Sequence, residues 1–408
     1  MTMDVKNIDS FPIARDLKKC PYDPPAEYAA LRHEDPVHPI TLWSGNRAWL
    51  LTGYDDCKSV LTDTRFSAVP TRQGYPALSP GHLKQAVEDT FVRMDPPEHT
   101  RIRRMFVREF LPGKMEKMRP DIERVTNRLL DRVIERGPPV DMLSSFSGIF
   151  PASIMCLLLD APLEDMDFFK TRTEIQFRFD STPEQVEQAA NEMLAYVKDL
   201  FIKRSKNPGE DIISRVAVEH VAKGDIELDV AVQNIRRILE AGHETTANQI
   251  ALSILLLIDS YPEQWAMLAE KPELARSATE ELLRYLTVAH RIPRRVAIED
   301  VELRGKTIKA GEGILPLIAS ANRDETSFPD PDRLDITREP REHVAFSWGI
   351  HQCLGQTLAR VEMQSAFSIL PKRFPDLRLN VPLAEIEFDE SMLAYGIRSL
   401  PVTWTNAR

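Results

Sequence analysis

Apolar residues recurring every three to four positions mark most of the chain as amphipathic helix. The pattern predicts helices over Tyr54–Thr62, Gly113–Arg136, Leu143–Leu159, Pro162–Phe179, Thr182–Arg204, Ser277–Leu286 and Leu354–Leu370, with a short proline-opened one at Pro24–Arg32. Asp180-Ser181-Thr182-Pro183 is a break followed by a helix start, with Pro183 at the first helical position. Asp95-Pro96-Pro97-Glu98-His99 opens another helix. The longest periodic stretch, Leu228–Asp259, would be ~48 Å long as one helix at 1.5 Å per residue, enough to cross the molecule. Strand-like segments are fewer: Val37–Leu42 and Ala48–Thr52 about Ser44-Gly45-Asn46, Val301–Leu303 and Lys306–Ile308 about Arg304-Gly305, and terminal pieces near Glu385–Phe388 and Leu400–Trp404. Phe66–Glu88, rich in Pro, Gly, Ser and polar residues, reads as an irregular, mobile loop. The expected fold is mainly α, a large helical part around one long central helix, with β-rich portions at about 37–52, 295–318 and 385–404. No repeat, low-complexity tract or linker divides residues 1–408, so one domain is expected.

Composition narrows the class. With 43% hydrophobic and 28% charged residues the chain is ordinary globular protein, and its net charge of −10 argues against nucleic acid or an anionic membrane as a bulk partner. Cys20, Cys57, Cys156 and Cys353 show no paired spacing, so neither a disulfide framework nor a zinc site is suggested, in keeping with a reducing cytoplasm. The longest mainly apolar run, Ile250–Ile258, falls well short of the ~20 residues that span a bilayer. Met1–Cys20 has charges throughout and no apolar core, so it is not read as a signal peptide.

The chemistry centres on Phe346-Ser347-Trp348-Gly349-Ile350-His351-Gln352-Cys353-Leu354-Gly355-Gln356. A Gly-containing loop runs there into a helix, so Cys353 sits where unpaired N–H groups and the positive end of the helix dipole favour a thiolate. Gly349 and Gly355 remove side chains where a flat ligand or a second segment comes close. The arrangement F-x-x-G-x-H-x-C-x-G resembles the haem-ligand loop of the cytochrome P-450 family at every fixed position, with Ser347 where Gly is more frequent. The resemblance implies haem b, with Phe346, Cys353 and Gly355 against it and the Cys353 sulfur on iron.

Three other stretches fit the same family. His99 and Arg103 are four apart on one helix face, a spacing that suits a carboxylate; a solvated basic face with Arg101 and Arg104 is the alternative. The resemblance assigns both to the haem propionates, with Arg295 of Arg294-Arg295-Val296-Ala297 and His351; Arg294 is expected to face solvent. Ala241-Gly242-His243-Glu244-Thr245-Thr246 places a Gly, a carboxylate and two β-branched hydroxyls at the middle of the long helix, each costly there. A widened or bent helix with a groove is expected, and the stretch resembles the family's oxygen-activation motif, with Thr245 near dioxygen and Glu244 relaying protons. Glu281-Leu282-Leu283-Arg284 followed by Pro331-Asp332-Arg333 resembles the family's structural network, so Glu281, Arg284 and Arg333 are read as holding the fold.

By resemblance, then, the chain is a monooxygenase. Without a flavin or iron–sulfur segment in the sequence, electrons are expected from NAD(P)H through a separate ferredoxin and its reductase. Arg101 and Arg104 would dock that acidic partner, ordinary surface charge being the bland alternative. Pocket candidates are Phe91, Val92, Leu239, Ala241, Val288, Ala289, Ile292, Leu393 and Ala394, an apolar set that suits a small apolar or amphipathic organic substrate. A soluble monomer without membrane or nucleic-acid partner is expected. Two rival readings stand. Thr71-Arg72-Gln73-Gly74-Tyr75-Pro76, Asp211-Ile212-Ile213-Ser214 and Phe374-Pro375-Asp376-Leu377 resemble the nitric oxide reductases of the same family, which would use NAD(P)H directly but lack the acid–alcohol pair. The other rival is a non-catalytic haem protein that binds a ligand.

Overall fold

The computed structural model describes residues 5, 8–80, 89–339 and 342–408. Its axis is the helix Leu228–Ser260, within a residue of its expected end. Every residue from Ile250 to Ile258 is buried. A helix apolar on all faces has to be enclosed, and helices Phe150–Leu159, Met166–Phe177, Pro183–Lys206, Ala275–Leu286 and Gln356–Arg373 all pack on it. The helix is continuous α through the Ala241–Thr246 motif. The two threonines satisfy themselves on their own helix: Thr245 Oγ1 donates to the Ala241 carbonyl at 3.0 Å and Thr246 Oγ1 to that of Gly242 at 3.4 Å. Gly242 has a packing reason, since a Cβ there would fall 2.4 Å from the Met155 sulfur.

Prolines and local turns divide helices that periodicity alone ran together. Gly113–Arg136 is two helices, Pro112–Lys117 and Arg119–Arg136, because Pro120 is admissible only in a first turn. Leu143–Leu159 is a π-helical turn, Leu143–Ser147, and a helix from Phe150 with Pro151 in its first turn. Pro162–Phe179 opens with the 3₁₀ turn Leu163–Asp165 before Met166–Phe177. Pro183–Lys206 starts as predicted, and a capping box closes its end: Gln185 N–H donates to Thr182 Oγ1, and Thr182 N–H to the Gln185 side chain.

The largest sheet comprises β1 (Val37–Thr41), β2 (Arg47–Leu51), β3 (Phe66–Ser67), β4 (Arg295–Ala297) and β5 (Gly313–Pro316) in the order β1-β2-β5-β4-β3. Only the β2–β5 pair is parallel. This sheet carries Arg295 to the edge of the central cavity. The expected loop Phe66–Glu88 begins as β3 and has no further strand or helix as far as Ser79, and its residues 81–88 lie outside the described residues. Val301–Leu303 pairs with Lys306–Ile308 as expected. Near the C-terminus the strand is Phe388–Asp389, paired with Gly396–Ile397, while Leu383–Glu385 is a 3₁₀ turn. Among the described residues no helix is long and apolar enough to cross a membrane.

Candidate active site

Cys353 lies at the end of a loop fixed from several sides. Its N–H donates to the Phe346 carbonyl at 2.9 Å, and the helix Gln356–Arg373 begins two residues later than expected, with Gly355 as its N-cap. Gly349 is required twice over: its φ is +71°, and a Cβ would sit 2.5 Å from the Leu61 carbonyl oxygen. Ser347 takes φ +61° without that licence. The Arg360 guanidinium sits 4.6 Å over the Phe346 ring and is bridged to Glu280 at 2.7 Å. Glu280 also lies 3.2 Å from His343, and these partners outweigh its burial, holding its carboxyl down at about 2.

The sulfur faces a deep cavity, so Cys353 has open surface although it lies far inside the protein. Burial pushes the free thiol up. The N–H groups of Gly355 and Gln356 and the cations of Arg103 and Arg360 pull the other way without overcoming it. The expected help from the helix start is therefore present but is not sufficient alone.

Arg103, Arg295 and His351 line this cavity, and the His99 ring is 4.3 Å from that of His351. Both ring nitrogens of His99, Nδ1 of His351 and Nη2 of Arg295 are buried without a hydrogen-bond partner in the protein. Arg103 donates to the Gln352 carbonyl and Arg295 to that of Arg294 at 2.8 Å. Burial, reinforced by Arg103 and Arg295, lowers His99 to about 4 and His351 to about 2, so both imidazoles are neutral donors and the arginines supply the charge. Arg294, expected in solvent, is half-buried on the cavity wall. Arg104 is exposed, while Arg101 is held by Glu98 at 2.9 Å and by the Asp225 carbonyl at 2.6 Å.

Thr245 lines the cavity from the central helix. Glu244 lies behind it and accepts from Asn248 Nδ2 at 3.3 Å. Burial first, then Glu174 and Asp389, push its acid up to about 7 against Lys170 and Asn248. Of the apolar candidates, Phe91, Val92, Ala241, Val288, Ala289, Ile292 and Leu393 line the cavity. Leu239 and Ala394 do not. Leu239 packs into the main core, and Ala394, fully buried, meets Asn248 through its carbonyl. The sequence reading missed Arg93, Arg237, Gln249 and Glu362 on the lining. Of these, Gln249 carried a usable signal, since it is one turn beyond Thr245.

A protein-family model described as Cytochrome P450 matches residues 166–375. Cytochrome P450-SU2 of Streptomyces griseolus is 45% identical over 386 residues, 94% of each chain. The 20-oxo-5-O-mycaminosyltylactone 23-monooxygenase of Streptomyces fradiae is 37% identical, over 97% of this chain and 92% of that one. The crystal structure of mycinamicin VIII C21 methyl hydroxylase from Micromonospora griseorubida, bound to mycinamicin VIII, superposes with a TM-score of 0.92 at 37% identity, covering 97% of this chain and 100% of that one. The chain belongs to the cytochrome P450 family. Its cofactor is therefore a haem, and the named relatives, a monooxygenase and a hydroxylase among them, give no support to the nitric oxide reductase reading.

The residues present fit that group. A thiol at the cavity floor, open space where a Gly355 Cβ would project, and unpartnered buried N–H donors from Arg295, His99 and His351 match a flat, dianionic iron ligand. The P450 core also contains the expected buried ion pair: Arg284 bonds both Glu281 oxygens at 2.8 and 2.9 Å. Its third member differs from expectation. Arg333 is exposed, and Arg338 completes the network, donating to Glu281 Oε1 at 3.2 Å.

Proposed function

We propose that this P450 is a haem-thiolate monooxygenase in which Cys353 holds the iron of haem b, Arg103, Arg295, His99 and His351 bind the propionates, and Glu244 and Thr245 handle protons. What carries the reading is that all these motifs, remote in sequence, converge on one cavity, with sulfur at its floor and a hydroxyl on the central helix. Bound haem supplies dioxygen activation and the oxidation of a substrate C–H bond. The chain supplies the rest. Apolar side chains such as Val288, Ile292 and Leu393 hold the substrate and exclude water. Thr245 Oγ1, its own proton given to the Ala241 carbonyl, offers its lone pairs to a proton-bearing oxygen in the cavity. Glu244, poised near neutral pH, takes protons from solvent and passes them on.

The substrate is a small organic molecule, apolar or amphipathic to suit this lining. Electrons come from NAD(P)H by way of a ferredoxin and its reductase, and the protein works as a cytoplasmic monomer. The deciding experiment is the ferrous carbonyl spectrum of haem-loaded protein. The absorption of a thiolate complex is expected. A spectrum like that of a histidine-bound globin, or a polypeptide that stays colourless, ends the proposal.

A further inference from the structure

A second cavity, of about 470 Å³, lies apart from the one that holds the thiol, with walls from the N-terminal segment, the turn between β1 and β2, and the turn before Gly396–Ile397. Among the described residues the two have no lining residue in common but share partitions: Ile292 and Leu393 face the first, Arg291 and Ser391 the second. Its size is that of a small-molecule site. Ile13, Trp43, Leu78 and Phe179 give it apolar sides, and Trp43 is held there by Nε1, which donates to the Ala77 carbonyl at 2.8 Å. Its polar end is a cluster of buried cations. Arg291, 4% exposed, makes one hydrogen bond among the described residues, from Nη1 to the Glu390 carbonyl at 2.8 Å, and its Nε is buried without a partner. Arg15, 5% exposed and within the field of Arg291, stacks 4.0 Å over the Tyr395 ring. Its Nη1 donates to the Tyr22 and Asp23 carbonyls at 3.4 and 2.5 Å, while Nε and Nη2 are buried without partners.

Among the described residues neither guanidinium is hydrogen-bonded to a carboxylate. Glu390, the acid on the cavity wall, accepts the main-chain N–H of Arg15 at 3.0 Å, and one carboxylate against two cations leaves a positive end. Tyr28 and Tyr395 do not supply the missing anion, since burial pushes the Tyr28 phenol up to about 12 and raises that of Tyr395 as well. Buried cations without a counter-charge are costly, and a ligand that brings one would relieve them. We propose that this second cavity binds an amphipathic carboxylate, its head on Arg291 and its apolar tail along Leu78, Phe179 and Trp43. The Nε–Nη2 edge of Arg291, to which no described residue bonds, is the two-pronged edge that a carboxylate fits. Arg15 stands behind it and strengthens the field. The proposal does not depend on the monooxygenase reading, because no residue of the haem site takes part.

The test uses decanoate, uncharged decanol and ω-bromodecanoate, whose bromine quenches a tryptophan that it touches. In titrations of the haem-loaded protein, ω-bromodecanoate should quench the part of the emission that Trp43→Phe removes. Calorimetry should find decanoate bound about 10- to 100-fold more tightly than decanol, the range expected for a charge-assisted hydrogen bond. Arg291→Met should bring decanoate down to the level of decanol, and Arg291→Lys, which keeps the charge but not the fork, should fall between. A native ferrous carbonyl spectrum and unfolding midpoint show that each variant is folded. Should Arg291→Met not fold, the comparison of decanoate with decanol on the wild type still decides. Three results overturn the proposal: an unquenched Trp43, decanol binding as tightly as decanoate, or undiminished quenching in folded Arg291→Met. Decanoate that shifts the ferric haem spectrum while Trp43 stays unquenched would place it in the other cavity and overturn the proposal too.

Discussion

Glu244 and Thr245 are covalent neighbours that face different surroundings. One reaches the cavity, while the other sits among Lys170, Glu174 and Asp389. That division makes two predictions. Thr245→Ala should still consume NAD(P)H but divert the electrons to peroxide, read as the ratio of product to peroxide; an undiminished product yield contradicts the relay. For Glu244, the folded acid at about 7 lies above its ordinary 4.5, so the proton-bearing form is present below 7 and is lost as pH rises through it. Product yield per electron should therefore fall on the alkaline side of about 7, and Glu244→Gln should abolish that limb; a limb that persists unchanged would assign it elsewhere. The same shift makes ionisation unfavourable to folding: the stability it contributes is full below pH 4.5 and is lost between 4.5 and about 7. Ser347 gives a third prediction at this scale. Its φ of +61° costs a non-glycine residue, so Ser347→Gly should stabilise the folded protein by about 0.5 kcal/mol, the strain relieved being partly offset by the entropy glycine adds to the unfolded chain. A clear loss in denaturant unfolding would show that the Ser347 side chain has a structural role of its own.

At the scale of elements, periodicity located the long helices and most of their ends but ran across the breaks inside them. Hydrophobic spacing reports which face is buried, and that face continues across Pro120 and Pro151 although the backbone hydrogen bonds cannot. The helix through Ala241–Thr246 stays continuous for the complementary reason. Residues that destabilise an isolated helix are tolerated once neighbouring helices enclose it and its hydroxyls bond back to the preceding turn. Arg333 and Arg338 show what spacing cannot settle. Arg284 was legible because it is three residues from Glu281 on one helix, whereas the third partner comes from an irregular segment whose path no periodicity describes. The structure separates the two arginines by a measurement. Arg338→Ala removes one of two cations from a buried carboxylate and should cost about 1–3 kcal/mol in denaturant unfolding, while Arg333→Ala should stay within about 0.5 kcal/mol. Equal losses would place Arg333 back in the network.

At the scale of the molecule, the cavity is assembled from segments that meet only on folding: Arg103 from the helix Glu98–Val107, Thr245 from the central helix, Arg295 from β4, and Cys353 with His351 from the loop. The motifs were readable one by one. Their charge state was not, because it depends on how deeply the fold buries each group. Two cationic side chains, Arg103 and Arg295, and two neutral imidazoles crowd the rim of one cavity, and burial lowers the proton affinity of both arginines. Without an anion, this cluster opposes folding. The propionates would relieve it, so haem binding and rim stability are coupled, and Arg295→Ala should act on both. It should weaken haem binding by about 10- to 100-fold, as expected for loss of a charge-assisted hydrogen bond worth about 1.5–3 kcal/mol, in a titration of haem-free protein. It should also narrow the gap in melting temperature between the loaded and haem-free forms, since the haem-free protein is spared a buried cation. Unchanged haem affinity together with an unchanged gap would remove Arg295 from the propionate site and leave Arg103 as its only cation in this assignment.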